Sequence, residues 1–223
     1  MATVTGHPST VTVLHGVPYK VDSRMTQLRA NRPRRMAYHD GVLEIASPKM
    51  PGHEFPSARI ALVVTTVADR LGTRYKATHR LTFSKVGDGP FKGKGKEPDQ
   101  SFYFASADRM PQDGAPAHDT GDPRPDLWIE VENRVSSAGH LPVSAALGVP
   151  EVWCHRARRN RLEFLRLVGE TCRPIERSLS LPVLTPSLVL EALALGEGLI
   201  DSDWARLLRE WVVRAIPLPE ASA

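Results

Sequence analysis

Asp126-Leu127-Trp128-Ile129-Glu130-Val131-Glu132 is the stretch on which the reading of this chain turns. It alternates strictly. Leu127, Ile129 and Val131 fall on one face of a strand, and Asp126, Trp128, Glu130 and Glu132 on the other. The apolar face must be buried, so the strand belongs to a packed sheet. Residues two apart on a strand point the same way, which puts both glutamates on one face. Two carboxylates about 4 Å apart repel by roughly 4 kcal/mol at an effective dielectric of 20. A cation, a proton or solvent has to relieve that repulsion. Taken alone, the stretch reads as an edge strand whose polar face meets water.

The flanking sequence supplies the other elements. Upstream, Glu97-Pro98-Asp99 opens a second strand candidate, Gln100–Phe104. Its proline has no donor for a ladder and marks the entry to a strand. If the two strands are neighbours, Asp99 approaches Glu130. Hard divalent cations such as magnesium take such oxygen ligands. A further strand is expected over Lys76–Ser84. Residues 87–96 are so rich in glycine and lysine that they read as a loop. Ile60, Val63, Val64, Val67 and Leu71 recur at helical spacing, and Gly72 is placed to end that helix. Glu54, next to His53, stands at its start. An acid there is also what the helix dipole favours at an exposed first turn. Asp40-Gly41 is a turn pair, which makes Val42–Ala46 the second strand of a hairpin.

Downstream, 105–125 is polar and proline-rich. A short helix is expected over Leu141–Leu147, then a hairpin of Glu151–His155 and Arg161–Val168. A helix near Ser187–Leu195 follows. In a last helix, Trp204, Leu207, Leu208, Trp211, Val212 and Ala215 form one apolar stripe, which reads as docking on the core. The order helix, strand, strand, strand, helix, strand suits an α/β fold with a mixed sheet flanked by helices. The expected organisation is an N-terminal arm over 1–24 without regular structure, a domain over 25–198, and a helix and tail over 199–223.

The chain has 223 residues, 24% charged and 41% hydrophobic, which is enough for a core without disulfides and argues against wholesale disorder. Its two cysteines show no metal-type spacing and fit a reducing, cytoplasmic setting. No apolar run is long enough for a membrane span, and Met1–Ser9 do not read as a signal peptide. The net charge of +4 permits a polyanionic partner without requiring one. Arginines cluster at Arg32, Arg34 and Arg35 and again at Arg156, Arg158, Arg159 and Arg161; either cluster alone reads as a solvated turn. The eight histidines show no zinc-type spacing.

Several stretches together resemble a known family. They are 41–48 (GVLEIASP), His53-Glu54, Glu97-Pro98-Asp99 with Phe102-Tyr103, Pro125–Val131, and 145–153 (AALGVPEVW). The ordered set resembles the Uma-type restriction endonucleases of the PD-(D/E)xK nuclease superfamily over roughly residues 35–190. The resemblance implies a restriction-endonuclease-like fold and a nuclease that hydrolyses DNA phosphodiester bonds with magnesium or manganese. Glu54, Asp99 and Glu130 match its metal-binding acids. The motif's lysine position holds Glu132. The alternative lysine position, on the following helix, matches His140, which on its own reads as an ordinary surface histidine at a helix start. His140 is the candidate substitute for the lysine, since imidazole titrates near neutrality. Lys92, Lys94, Lys96, Arg156, Arg158 and Arg159 are the candidate contacts to the sugar-phosphate backbone. The resemblance also implies a homodimer, by analogy alone. The rival reading is a nucleic-acid- or protein-binding member of the same fold that has lost catalysis, for which the missing lysine speaks.

Overall fold

In a computed structural model of the chain, residues 3–6, 11–28, 35–46, 54–79, 81–90, 92–110, 123–132 and 141–218 are described. In chain order the elements are β1 (Thr3–Gly6), β2 (Val11–His15), α1 (Tyr19–Leu28), β3 (Arg35–His39), β4 (Val42–Ala46), α2 (Glu54–Arg70), β5 (Lys76–Thr78), β6 (Phe83–Val86), β7 (Gly93–Lys96) and β8 (Gln100–Tyr103). There follow β9 (Leu127–Glu132), α3 (Leu141–Ala146), β10 (Glu151–Arg156), β11 (Arg161–Val168), β12 (Thr171–Ile175), α4 (Pro186–Ala194) and α5 (Asp201–Ala215).

The strands form two sheets. One, in the order β12-β11-β10-β9-β8-β5, is mixed: β9 and β10 run parallel and the other pairs antiparallel. The run α2, β5, β8, β9, α3, β10 supplies the helix, three strands, helix and strand read from the sequence. The other sheet, β1-β2-β4-β3-β7-β6, is antiparallel throughout.

The alternation of β9 decides what packs where. Leu127, Ile129 and Val131 join a core with Ile60, Val63, Val64 and Val67 of α2 and with Trp204, Leu208 and Trp211 of α5. Trp153 stacks on Phe164 there at 4.0 Å. Burying such a side chain contributes roughly 1.5–3 kcal/mol. Trp128 faces the other way, in a core with Phe83 of the antiparallel sheet, Val143 of α3 and Leu147 just after it. The second core thus lies between the two sheets. The apolar stripe of α5 docks as its spacing predicts, and Arg59 of α2 helps to pin it. Its guanidinium reaches Asp201 and the Gly196 and Leu199 carbonyls and lies over the Trp204 ring.

Three expectations need correction. Residues 1–24 are not an irregular arm: they carry β1, β2 and the first turns of α1, short elements with too few residues to show a period. The single strand expected over Lys76–Ser84 is two, β5 and β6, one in each sheet. The lysine-glycine stretch is not all loop, because Gly93-Lys94-Gly95-Lys96 is β7, paired with β3 and β6. Its glycines have a steric cause. A Cβ on Gly93 would sit 2.4 Å from the ring of Tyr19, and one on Gly95 would sit 3.1 Å from the Asp22 carboxylate. Helix α1 lies directly on that face of the strand, so only the lysines carry side chains, all on the opposite face.

Candidate functional site

The strands that carry or flank the predicted acids, β8 and β9, are neighbours. Gln100 pairs with Ile129 and Ser101 with Trp128. The ladder ends there: Asp99 immediately precedes β8, and Glu130 immediately follows Ile129 on β9. Asp99 is only 3% exposed, and its Oδ2 accepts a 2.7 Å hydrogen bond from the Val131 amide. The carboxylate thereby stands in for a ladder carbonyl at the point where Pro98 lets the strand begin.

The third group is a lysine from the facing sheet. Lys96 Nζ lies 3.0 Å from Glu130 Oε1, with the two side chains 4% and 12% exposed. Chain direction explains the meeting. Residues 97–99 carry the backbone from β7 in one sheet to β8 in the other, so Lys96 and Asp99 approach β9 from two sides. Glu97 of this crossing accepts from the Thr82 hydroxyl at 2.9 Å. The Gly-Lys-Gly-Lys alternation of period two was the available signal for a strand here.

Glu132, in the motif's lysine position, belongs to a different cluster. Its Oε2 lies 3.4 Å from Arg156 Nε, and Arg156 Nη1 lies 2.9 Å from Glu163. Glu163 also pairs with Arg161 at 2.7 Å. Arg156 is thus held in an ion-pair row across β9, β10 and β11. Arg158 and Arg159 in the turn after β10 are exposed. Lys92 is exposed and 3.9 Å from Asp40, while the less exposed Lys94 is 2.5 Å from the same carboxylate. Burial alone would raise the Asp40 pKa. The Lys94 ammonium and the Gly93 amide outweigh it and hold the pKa below the usual carboxylate value. A cavity of about 300 Å³ opens here, lined among others by Lys85, Lys92, Lys94 and Asp40.

Glu54 is the first residue of α2, and its side chain lies outside the described residues, as do His140, Arg32 and Arg34. Among the described residues, no group of three or more His, Cys, Asp and Glu side chains is arranged to hold a metal ion. Asp99 and Glu130 provide hard oxygen donors of the kind magnesium takes. The donor chemistry therefore fits a divalent cation, with two protein ligands in view.

Two buried groups escaped the sequence reading. His155, on the α2 face of β10, is 5% exposed, and neither ring nitrogen has a hydrogen-bond partner among the described residues. Burial pushes its pKa below the ordinary value. Glu151 is fully buried. It accepts from Trp153 Nε1 at 2.7 Å and from the Ser180 amide and hydroxyl at 2.9 and 2.8 Å. The Gly-Val-Pro-Glu-Val-Trp stretch therefore bonds to itself and to the segment before α4.

A mixed sheet flanked by helices, with this order of elements, defines an α/β protein. The chain belongs to the Uma2 family, described as "Putative restriction endonuclease", which it matches over residues 23–196. Membership supports a nuclease function in general terms, and restriction-endonuclease-like families generally use divalent metal ions. Among solved structures it is similar to a putative nuclease belonging to DUF820 from Anabaena variabilis ATCC 29413. The identity is 17% and the TM-score 0.43, covering 79% of this chain and 90% of that one. No curated protein matches it. No helix among the described residues is long and apolar enough to cross a membrane.

Proposed function

We propose that the protein is a metal-dependent endonuclease that hydrolyses DNA phosphodiester bonds, with Asp99, Glu130 and Glu54 as ligands for Mg²⁺ or Mn²⁺. The observation that supports this reading is that Asp99, 3% exposed, bonds through its carboxylate to the amide of Val131, the residue next to the largely buried Glu130. Buried carboxylates are costly unless paired or hydrogen-bonded; Lys96 and the Val131 amide meet part of that cost, and a divalent ion is proposed to bind both acids when it enters. A divalent ion held there would polarise the scissile phosphate and lower the pKa of an attacking water. The protein's own part is to fix the acids. The Val131 amide orients Asp99, and Glu130 is held on the rigid central strand. Exposed Lys92, Arg158 and Arg159 flank the fold as contacts for the sugar-phosphate backbone, giving affinity that falls with salt.

The second reading, a nucleic-acid-binding member without catalysis, draws on Glu132, which occupies the motif's lysine position and is ion-paired to Arg156. A plasmid-nicking assay with Mg²⁺ or Mn²⁺ separates the two. Cleavage by the wild type that is lost in Asp99→Ala and in chelator supports the endonuclease. Retention of DNA with no cleavage under either metal supports the binding protein.

A further inference from the structure

We propose that Lys96 is the lysine of this site, delivered from the facing sheet instead of from the strand or helix that carries the acids. The proposal rests on the nuclease reading above and goes beyond it by naming the residue that supplies the site's positive charge. Three observations converge. Lys96 is 4% exposed, although lysine is almost never buried without a partner. Its ammonium is 3.0 Å from Glu130, one of the proposed metal-binding acids. Finally, the glycine alternation of β7, enforced by Tyr19 and Asp22 on the other side, leaves Lys96 no direction but towards β9.

The arrangement assigns Lys96 two consequences of one charge. With no metal ion on the carboxylates, the ammonium neutralises Glu130 and keeps the acid on its strand in a fixed orientation. Beside a bound phosphodiester, its fixed positive charge would stabilise the additional negative charge that develops on phosphorus oxygens during displacement. The same charge repels a divalent ion that approaches Glu130. Removing it therefore has effects of opposite sign, which a purely structural lysine would not produce: cation affinity rises while cleavage falls.

The test compares wild type, Lys96→Met, Lys96→Arg, His140→Ala and Asp99→Ala. Each is assayed for Mn²⁺ binding by calorimetry, thermal melting with and without Mn²⁺, and plasmid nicking. Lys96→Met is expected to bind Mn²⁺ more tightly than wild type and to nick about 10²–10⁴-fold more slowly, the range for loss of a positioned catalytic group. Lys96→Arg keeps the charge and guards against a folding failure of Lys96→Met. It is expected to recover part of the nicking and to retain the wild-type Mn²⁺ affinity. His140→Ala tests the rival assignment of the lysine's role to His140. Wild-type nicking that survives in Lys96→Met, or that is lost in His140→Ala with Lys96→Arg unaffected, would overturn the assignment while leaving the nuclease reading intact. Absence of both Mn²⁺ binding and nicking in the wild type overturns the nuclease reading, and the assignment with it.

Discussion

Glu151 offers the sharpest separation of scaffold from site, because a fully buried glutamate in a family signature invites a catalytic reading. Its two oxygens collect three donors: Trp153 Nε1, the Ser180 amide and the Ser180 hydroxyl. In Glu151→Ala all three lose their acceptor. Trp153 is completely buried, so its indole N–H bears the full desolvation penalty of about 1–3 kcal/mol. Ser180 is partly exposed and recovers water, so its two donors together add about 1 kcal/mol. Lost packing of the side-chain methylenes adds about 1 kcal/mol. The expected total is about 4 kcal/mol, which lowers the melting temperature of a domain this size by about 8–16 °C. Glu151→Gln keeps one acceptor for Trp153 and turns its amide towards Ser180, at an expected cost of about 1–2 kcal/mol. Urea unfolding followed by circular dichroism measures both values, and nicking is read well below the melting range. An unchanged unfolding midpoint in Glu151→Ala refutes the structural role. A Glu151→Gln protein of wild-type stability that no longer binds Mn²⁺ places Glu151 in the site instead.

His155 and the arginine turn give two further expectations. Burial lowers the folded-state pKa of His155, so below the ordinary histidine value of about 6.5 the unfolded chain takes up a proton that the folded chain refuses. Stability then falls as pH drops from about 6.5 towards the folded pKa, by up to about 1.4 kcal/mol per pH unit. His155→Phe is expected to flatten that slope in denaturant titrations between pH 7 and 5; an unaltered slope assigns acid sensitivity elsewhere. Replacing Arg158 and Arg159 together by serine is expected to reduce the slope of log affinity for DNA against log salt by about 1.8, two phosphate contacts' worth. Arg156→Gln, which breaks an ion-pair row, is expected to change stability and leave that slope alone; equal effects on the slope would refute the distinction.

Much of the scaffold was legible because its signals are local. The alternation in 126–132 gave the strand and both of its faces. Asp40-Gly41 marked a two-residue hairpin, and both residues adopt positive φ, 42° and 93°, as such a turn requires. The apolar spacing of α2 and α5 identified their buried faces, and Gly72 ends α2 with a φ of +65°. What was illegible depends on contacts between distant segments. Gly93 and Gly95 look like loop residues until Tyr19 and Asp22, respectively, are seen against them. Lys76–Ser84 reads as one strand because nothing local says that its halves join different sheets. That the strand after Asp99 neighbours the strand of Glu130 could be expected from the order of motifs. The partnership of Glu130 with Lys96 needed the packing of one sheet on the other.

The three-residue crossing between β7 and β8 links these halves mechanically. The cation and the first acid are separated by only Glu97 and Pro98, one residue with a constrained φ and one tied to Thr82. Sliding one sheet over the other would pull directly on this tether, so the relative position of the sheets and the spacing of charges at the site cannot vary independently. A lengthened tether would let the layers find their own best fit at the expense of the charge geometry, which makes 97–98 the place where an insertion should be least tolerated.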